Sequence, residues 1–183
     1  MSYRHGFLIA TPLHHEEPFV HSVVYVCEHS QQGALGFIIN KPFKIPLSEL
    51  TKNQNIFYHQ QSVYLGGPLQ SHDRGFVMHR NLGKFWSGTT QLDQDLYLTT
   101  TQDILLELGH YPSDLYRICI GYLNWLPGQL EYEFSQNIWL FLPYSQKTLF
   151  DTQAELMWIE CYHSLGFLPD QIGCVDPGAS FVH

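Results

Sequence analysis

The amino-acid sequence predicts a single α+β domain, 1–183. Short apolar runs rich in β-branched and aromatic residues crowd the first half, several of them closed by Gly or Pro. Helical spacing of apolar residues enters only in the second half, where it alternates with further strands. A regular strand–helix–strand alternation from the start, which a doubly wound nucleotide-binding fold requires, is absent.

Taken in order, Phe7 to Ala10 forms a strand stopped by Thr11-Pro12. Val23 to Cys27 is apolar on both faces and reads as a central strand covered on two sides. Gln31-Gln32-Gly33 turns the chain into Leu35–Ile39 as a hairpin, Lys41-Pro42 ends that strand, and Pro46 opens a short helix through Leu50. Val63–Leu65, closed by Gly66-Gly67-Pro68, and Gly75–His79 follow as strands, then a turn at Asn81-Leu82-Gly83 and a strand at Leu96–Leu98. A helix is expected after Thr100, with Asp103 reaching back, Ile104, Leu105 and Leu108 on one face and Gly109 past its end. Leu115–Tyr122 is a buried strand, Pro127 starts a helix with Leu130 and Phe134 four apart, and Ile138–Leu142 is a strand. The last helix runs from about Asp151 to Leu165, with Ala154, Trp158, Cys161 and Leu165 as its apolar stripe and Gly166 as its stop.

Composition narrows the function classes. Charged residues make up 14% and aromatic residues 15% of the chain, a surface balance that favours a binding face or a homo-oligomer. The net charge of −8 and nine scattered basic residues argue against direct nucleic-acid binding, which depends on Lys and Arg meeting phosphates. Runs such as Val23–Cys27 are far below the ~20 apolar residues of a membrane span, and no signal peptide is evident, so the expected location is cytoplasmic. Cys27, Cys119, Cys161 and Cys174 lie far apart with no Cys-x-x-Cys pair and are expected as reduced, mostly buried thiols.

Four stretches could carry chemistry. Cys27-Glu28-His29 would place thiol and imidazole on one strand face, the pairing a nucleophilic cysteine needs, yet no oxyanion donor or orienting acid accompanies it. The stretch Gly66-Gly67-Pro68 to Arg74-Gly75 could cradle an anion with Arg74 as a two-pronged donor, though it reads first as a turn that Arg74 ties down. At Gly121–Glu131, Trp125 and Gln129 flank a helix start. They form either an aromatic platform for a small planar or anionic ligand, or a core plug and a cap. The eleven histidines, His14-His15 among them, show no zinc-ligand spacing, so neither a metal nor any other cofactor is expected.

These segments together resemble the AlgH/YqgE family of bacterial proteins. The likeness runs from Phe7–Pro12, Val23–His29 and Gly33–Pro42 through Val63–Pro68 and Arg74–Val77 to Gly121-Tyr122, Trp125, Pro127–Glu131, Trp139-Leu140, Trp158 and Leu165-Gly166. Leu126 stands where the family usually has glycine, and His14–Glu17 falls in a loop that varies. The resemblance implies a bent, split, mostly antiparallel sheet forming a pseudo-barrel flanked by helices, in a bacterial cytoplasmic protein. It also implies a proposed role in transcriptional regulation of exopolysaccharide production, and it carries over no activity or cofactor.

The leading expectation is a non-enzymatic binding or regulatory protein acting through protein partners or a small ligand. Its surface would include Glu28, His29, Asn40, Gly66, Gly67, Arg74, Trp125 and Gln129. The alternatives are an enzyme using Cys27 and His29 or Arg74, and a regulator whose partner supplies the nucleic-acid contact.

Overall fold

The computed structural model describes residues 2–43, 63–68 and 75–169. The expected helix at Pro46–Leu50, Arg74 and Cys174 lie outside them. Two sheets organise the rest. The first has the order β10-β3-β2-β1-β11, from β1 (Gly6–Ala10), β2 (Val23–Ser30), β3 (Gly33–Ile38), β10 (Leu123–Trp125) and β11 (Trp139–Pro143), all antiparallel. The second has the order β4-β5-β9-β6-β8-β7, from β4 (Pro42–Phe43), β5 (Val63–Leu65), β6 (Gly75–His79), β7 (Thr89–Asp93), β8 (Leu96–Thr99) and β9 (Tyr116–Ile120). Only β5 and β9 pair in parallel among the described strands. The α+β class and the antiparallel majority are as expected. The split is a division into two sheets, with no closed barrel among the described residues.

β2 is central to the first sheet, as its two-sided apolar run requires. Phe7, Ile9, Val23, Tyr25 and Phe37 face the second sheet, meeting Met78, Leu98 and Cys119. Leu8, Ala10, Val24, Val26 and Ile38 face the other way, toward helix α1 (Gln129–Ser135) and its Leu130. Helix α2 (Ala154–Ser164) packs Met157, Cys161 and Tyr162 against the inter-sheet core. Both Trp158 Nε1 and Tyr162 Oη donate to the Ala10 carbonyl, at 2.8 and 3.2 Å, which pins α2 to the end of β1.

Three expectations are corrected. The helix after Thr100 is two short 3-10 turns, Ile104–Leu106 and Leu108–His110; Asp103 accepts from its neighbour's amide, Ile104 N–H, and Gly109 lies inside the second turn. Ile104, Leu105 and Leu108 are nonetheless buried, against Val77 and Ile118 on the outer face of the second sheet. The strand expected over Leu115–Tyr122 stops at Ile120; the chain then crosses from the second sheet to the first and resumes as β10, where a loop was expected. Finally, Asp151 belongs to a single π turn, Lys147–Asp151, and α2 begins only at Ala154.

Candidate functional site

Gly66 and Gly67 stand where the two sheets are stitched together. Gly66 N–H donates to the Ile120 carbonyl at 2.7 Å and its own carbonyl accepts from Ile38 N–H at 2.8 Å. A Cβ on Gly66 would lie 2.2 Å from the Gly121 carbonyl oxygen, and one on Gly67 would lie 2.3 Å from that of Tyr122. The glycine pair thus lets β5 run against the crossover that feeds β10, the close backbone approach for which a residue without Cβ is needed.

Beyond the crossover, Trp125 is 5% exposed and pairs with Ala34 of β3. Its Nε1–H donates to Glu133 Oε2 at 2.9 Å, and Trp139 Nε1–H donates to the same oxygen at 2.7 Å. Gln129 holds the entry to α1: its Oε1 accepts from Leu126 N–H at 3.0 Å, and its Nε2 donates to Glu133 Oε1 at 3.0 Å. Gln129 and Glu133 are four apart, so one turn of helix brings them together. The result is a cleft of about 360 Å³ between α1, β10 and the loop after β1, lined by Trp125, Gln129, Glu133 and Trp139 together with Pro68, His14 and Phe19. His14 stacks on Phe19 (centroids 5.3 Å) and tilts against Trp139 (4.5 Å). Burial, partly opposed by the Glu133 charge, lowers the His14 pKa below its ordinary value, so the ring is neutral at pH 7.

The structure therefore brings Trp125 and Gln129 to one cleft with Pro68, the residue after Gly66-Gly67. His29 lies elsewhere. Its Nδ1 accepts from Tyr3 N–H at 3.1 Å, which leaves Nε2 as the protonated nitrogen that donates to Glu131 at 2.8 Å. Glu28 is exposed beside it. Asn40 is a backbone clamp, with Oδ1 accepting from Val23 N–H at 2.7 Å and Nδ2 donating to the His21 carbonyl at 2.9 Å. Phe19, Glu133 and Trp139 were not singled out from sequence as site residues, and His14 was weighed only as a metal ligand. The spacing of Gln129 and Glu133 was a usable signal for one of them; the others depend on which strand lies beside which.

The expectation that Cys27 and His29 share a face is overturned. A β-bulge shifts the register of β2 against β3 between Val26 and Glu28. The extra residue reverses the alternation beyond it. Cys27 remains in the inter-sheet core with Tyr25, whereas His29 pairs with Ala34 and packs against Tyr3 on the α1 side. Burial, then the nearby Glu28 charge, pushes the Cys27 thiol up to about 12, and burial takes Cys119 and Cys161 to about 12 as well. In native protein at pH 7, iodoacetamide should leave all three unlabelled over an hour, with full labelling after denaturation, as read by peptide mass spectrometry. Rapid native labelling of Cys27 would restore it as a candidate nucleophile.

Among the described residues no group of three or more His, Cys, Asp or Glu is placed to hold a metal ion, and no helix is long and apolar enough to cross a membrane.

The family described as AlgH-like (DUF179) matches residues 7–170. This chain belongs to it. The AlgH-like relatives include UPF0301 proteins of Shewanella sp. strain ANA-3, 37% identical over 91% of this chain and 92% of its own length, and of Nitrosospira multiformis, 38% identical over 92% and 95%. Among solved structures, the AlgH protein of Pseudomonas aeruginosa is 33% identical with a TM-score of 0.77, covering 98% of this chain and 97% of its own. A protein of Corynebacterium diphtheriae shares the AlgH-like fold at 21% identity, with a TM-score of 0.71 and coverage of 88% and 86%.

Proposed function

We propose that this AlgH-like protein is a non-enzymatic binding protein of regulatory type, which holds a small ligand in the cleft at Trp125. The observation that carries this reading is the cleft itself. Its volume of about 360 Å³ falls in the range of small-molecule sites, roughly 300–1,000 Å³, and aromatic walls around a few convergent polar groups are the usual make-up of such sites. The rival reading, an enzyme with a Cys/His pair, is disfavoured by the separation of Cys27 from His29.

A role in transcriptional regulation, the one that named the family, would then pass through a partner protein. The net charge of −8 opposes direct phosphate contact. Leu126, on the loop into α1 and 66% exposed, and Tyr132, 64% exposed, offer apolar surface to such a partner or to a second copy. We place the protein in the cytoplasm on the same reading.

The test is a thermal-shift screen of the purified protein against nucleotides, amines, other metabolites and divalent metals. A ligand at a hundred times its Kd adds about 2.7 kcal/mol. For a chain of this size that raises the midpoint by roughly 5–10 °C. The expected result is such a shift, abolished by Gln129→Ala or Trp125→Phe. A flat screen, or a shift that both variants keep, overturns the small-ligand reading and leaves the protein-partner route.

A further inference from the structure

Resting on the cleft as a binding site, we propose that its ligand is an organic cation with a flat head, such as an amidinium, guanidinium or aryl-ammonium group, and not an anion. Three observations converge. First, Glu133 is the one formal charge among the described residues that line the cleft, since His14 is held neutral. No ion pair joins Glu133 to any described Lys, Arg or His.

Second, the donors that Glu133 does have are neutral: two indole N–H groups on Oε2 and one amide on Oε1. They orient the carboxylate without cancelling its charge. A carboxylate offers about four acceptor positions, so one on Oε1 stays open for a charged donor. A half-buried carboxylate with no cationic partner of its own is the complement of a cation supplied from outside.

Third, the walls suit the flat face of such a head. Trp139 meets Trp125 at 79° and Phe19 at 81°, and His14 tilts against Trp139, so aromatic rings wall the cleft, and two of them turn their indole N–H edges to the carboxylate. The faces of Trp and Phe attract cations and repel anions through their quadrupole. His14, which also lines the cleft, has a buried Nε2 with no hydrogen-bond partner among the described residues, leaving one polar contact for the ligand to fill.

The experiment holds ligand shape fixed and varies charge. Benzamidinium, benzamide and benzoate are titrated into wild-type protein at pH 7.5, with intrinsic tryptophan fluorescence as the readout. Trp125 and Trp139 line the cleft, whereas Trp86 and Trp158 lie in other parts of the core. The expected order is benzamidinium tighter than benzamide by about tenfold or more, the scale of one charge-assisted contact, with benzoate weakest. Glu133→Gln should erase the preference for benzamidinium over benzamide, with the fold checked by circular dichroism. Equal binding of the three, or a preference for benzoate, overturns the cation assignment while leaving the cleft as a site. Binding by none of them overturns it too, and a flat thermal-shift screen alongside would take the cleft reading with it.

Discussion

Replacing Arg117 with methionine should destabilise the protein by about 4 kcal/mol, lowering the thermal midpoint by roughly 8–16 °C. Arg117 is 5% exposed and lies in β9 facing the inter-sheet core. Its guanidinium is satisfied almost entirely by main-chain oxygen. It donates to the carbonyl of Leu149, to that of Ile39 at 3.2 Å and to that of Thr152 at 2.9 Å, and it lies 4.7 Å from the centre of the Tyr64 ring. One side chain therefore ties the second sheet to the end of β3 and to the π turn that precedes α2. Two effects compete in the variant. Methionine removes the desolvation penalty of a buried cation, which is favourable. Against that, three buried carbonyls lose a charged donor that methionine cannot replace, at about 1–3 kcal/mol each. Three losses outweigh one relief. A urea titration showing Arg117→Met within about 1 kcal/mol of wild type would mean that the chain re-satisfies those carbonyls unaided.

Gly66→Ala should cost about 3 kcal/mol, at the upper end of ordinary overpacking. The methyl would press on the Gly121 carbonyl oxygen, which belongs to the backbone and cannot rotate away. Relief requires β5 to withdraw from the crossover, and with it the two hydrogen bonds that Gly66 makes to Ile120 and Ile38. Gly75→Ala is the matched control. Among the described residues its Cβ would meet only Ile120 Cδ1, at an ordinary 3.7 Å, so it should fall within about 1 kcal/mol of wild type. Equal stability of the two variants by chemical denaturation would refute the close-approach account of Gly66.

Much of the first sheet was legible because its strands declare themselves locally. Phe7–Ala10 and Val23–Cys27 are apolar on both faces, so strand type and burial follow without knowledge of neighbours. β7 went unread for the opposite reason. Thr89–Asp93 is polar apart from Leu92 and largely exposed, and it is held mainly by pairing with β8, which one apolar residue does not reveal. β10 has three residues with an exposed Asn124 in the middle, too short for a period to register. The bulge at Cys27 is a single-residue displacement with no signature in composition, and it alone separates the thiol from His29.

The candidate cleft was half legible. Trp125 and Gln129 drew notice as an aromatic residue and a helix-start residue. The carboxylate that unites them with Trp139 became visible only when β10 and β11 were placed at opposite edges of the same sheet, with α1 spanning between. His14 drew notice only as a possible zinc ligand, because its burial comes from Phe19 and Trp139, one near in sequence and one remote.

The strand order of the first sheet also sets a timetable for synthesis. The β2–β3 hairpin and β1 leave the ribosome early, but the strands that cover their edges, β10 and β11, are among the last to be made. Until then the nascent chain carries a three-stranded apolar sheet with both edges open, the configuration most inclined to pair with another copy. Closing it needs contacts between residues remote in the chain, which places the protein among slow folders. Its hazard is thus greatest during translation, and truncation before Trp139 should yield a product that aggregates where the full chain does not.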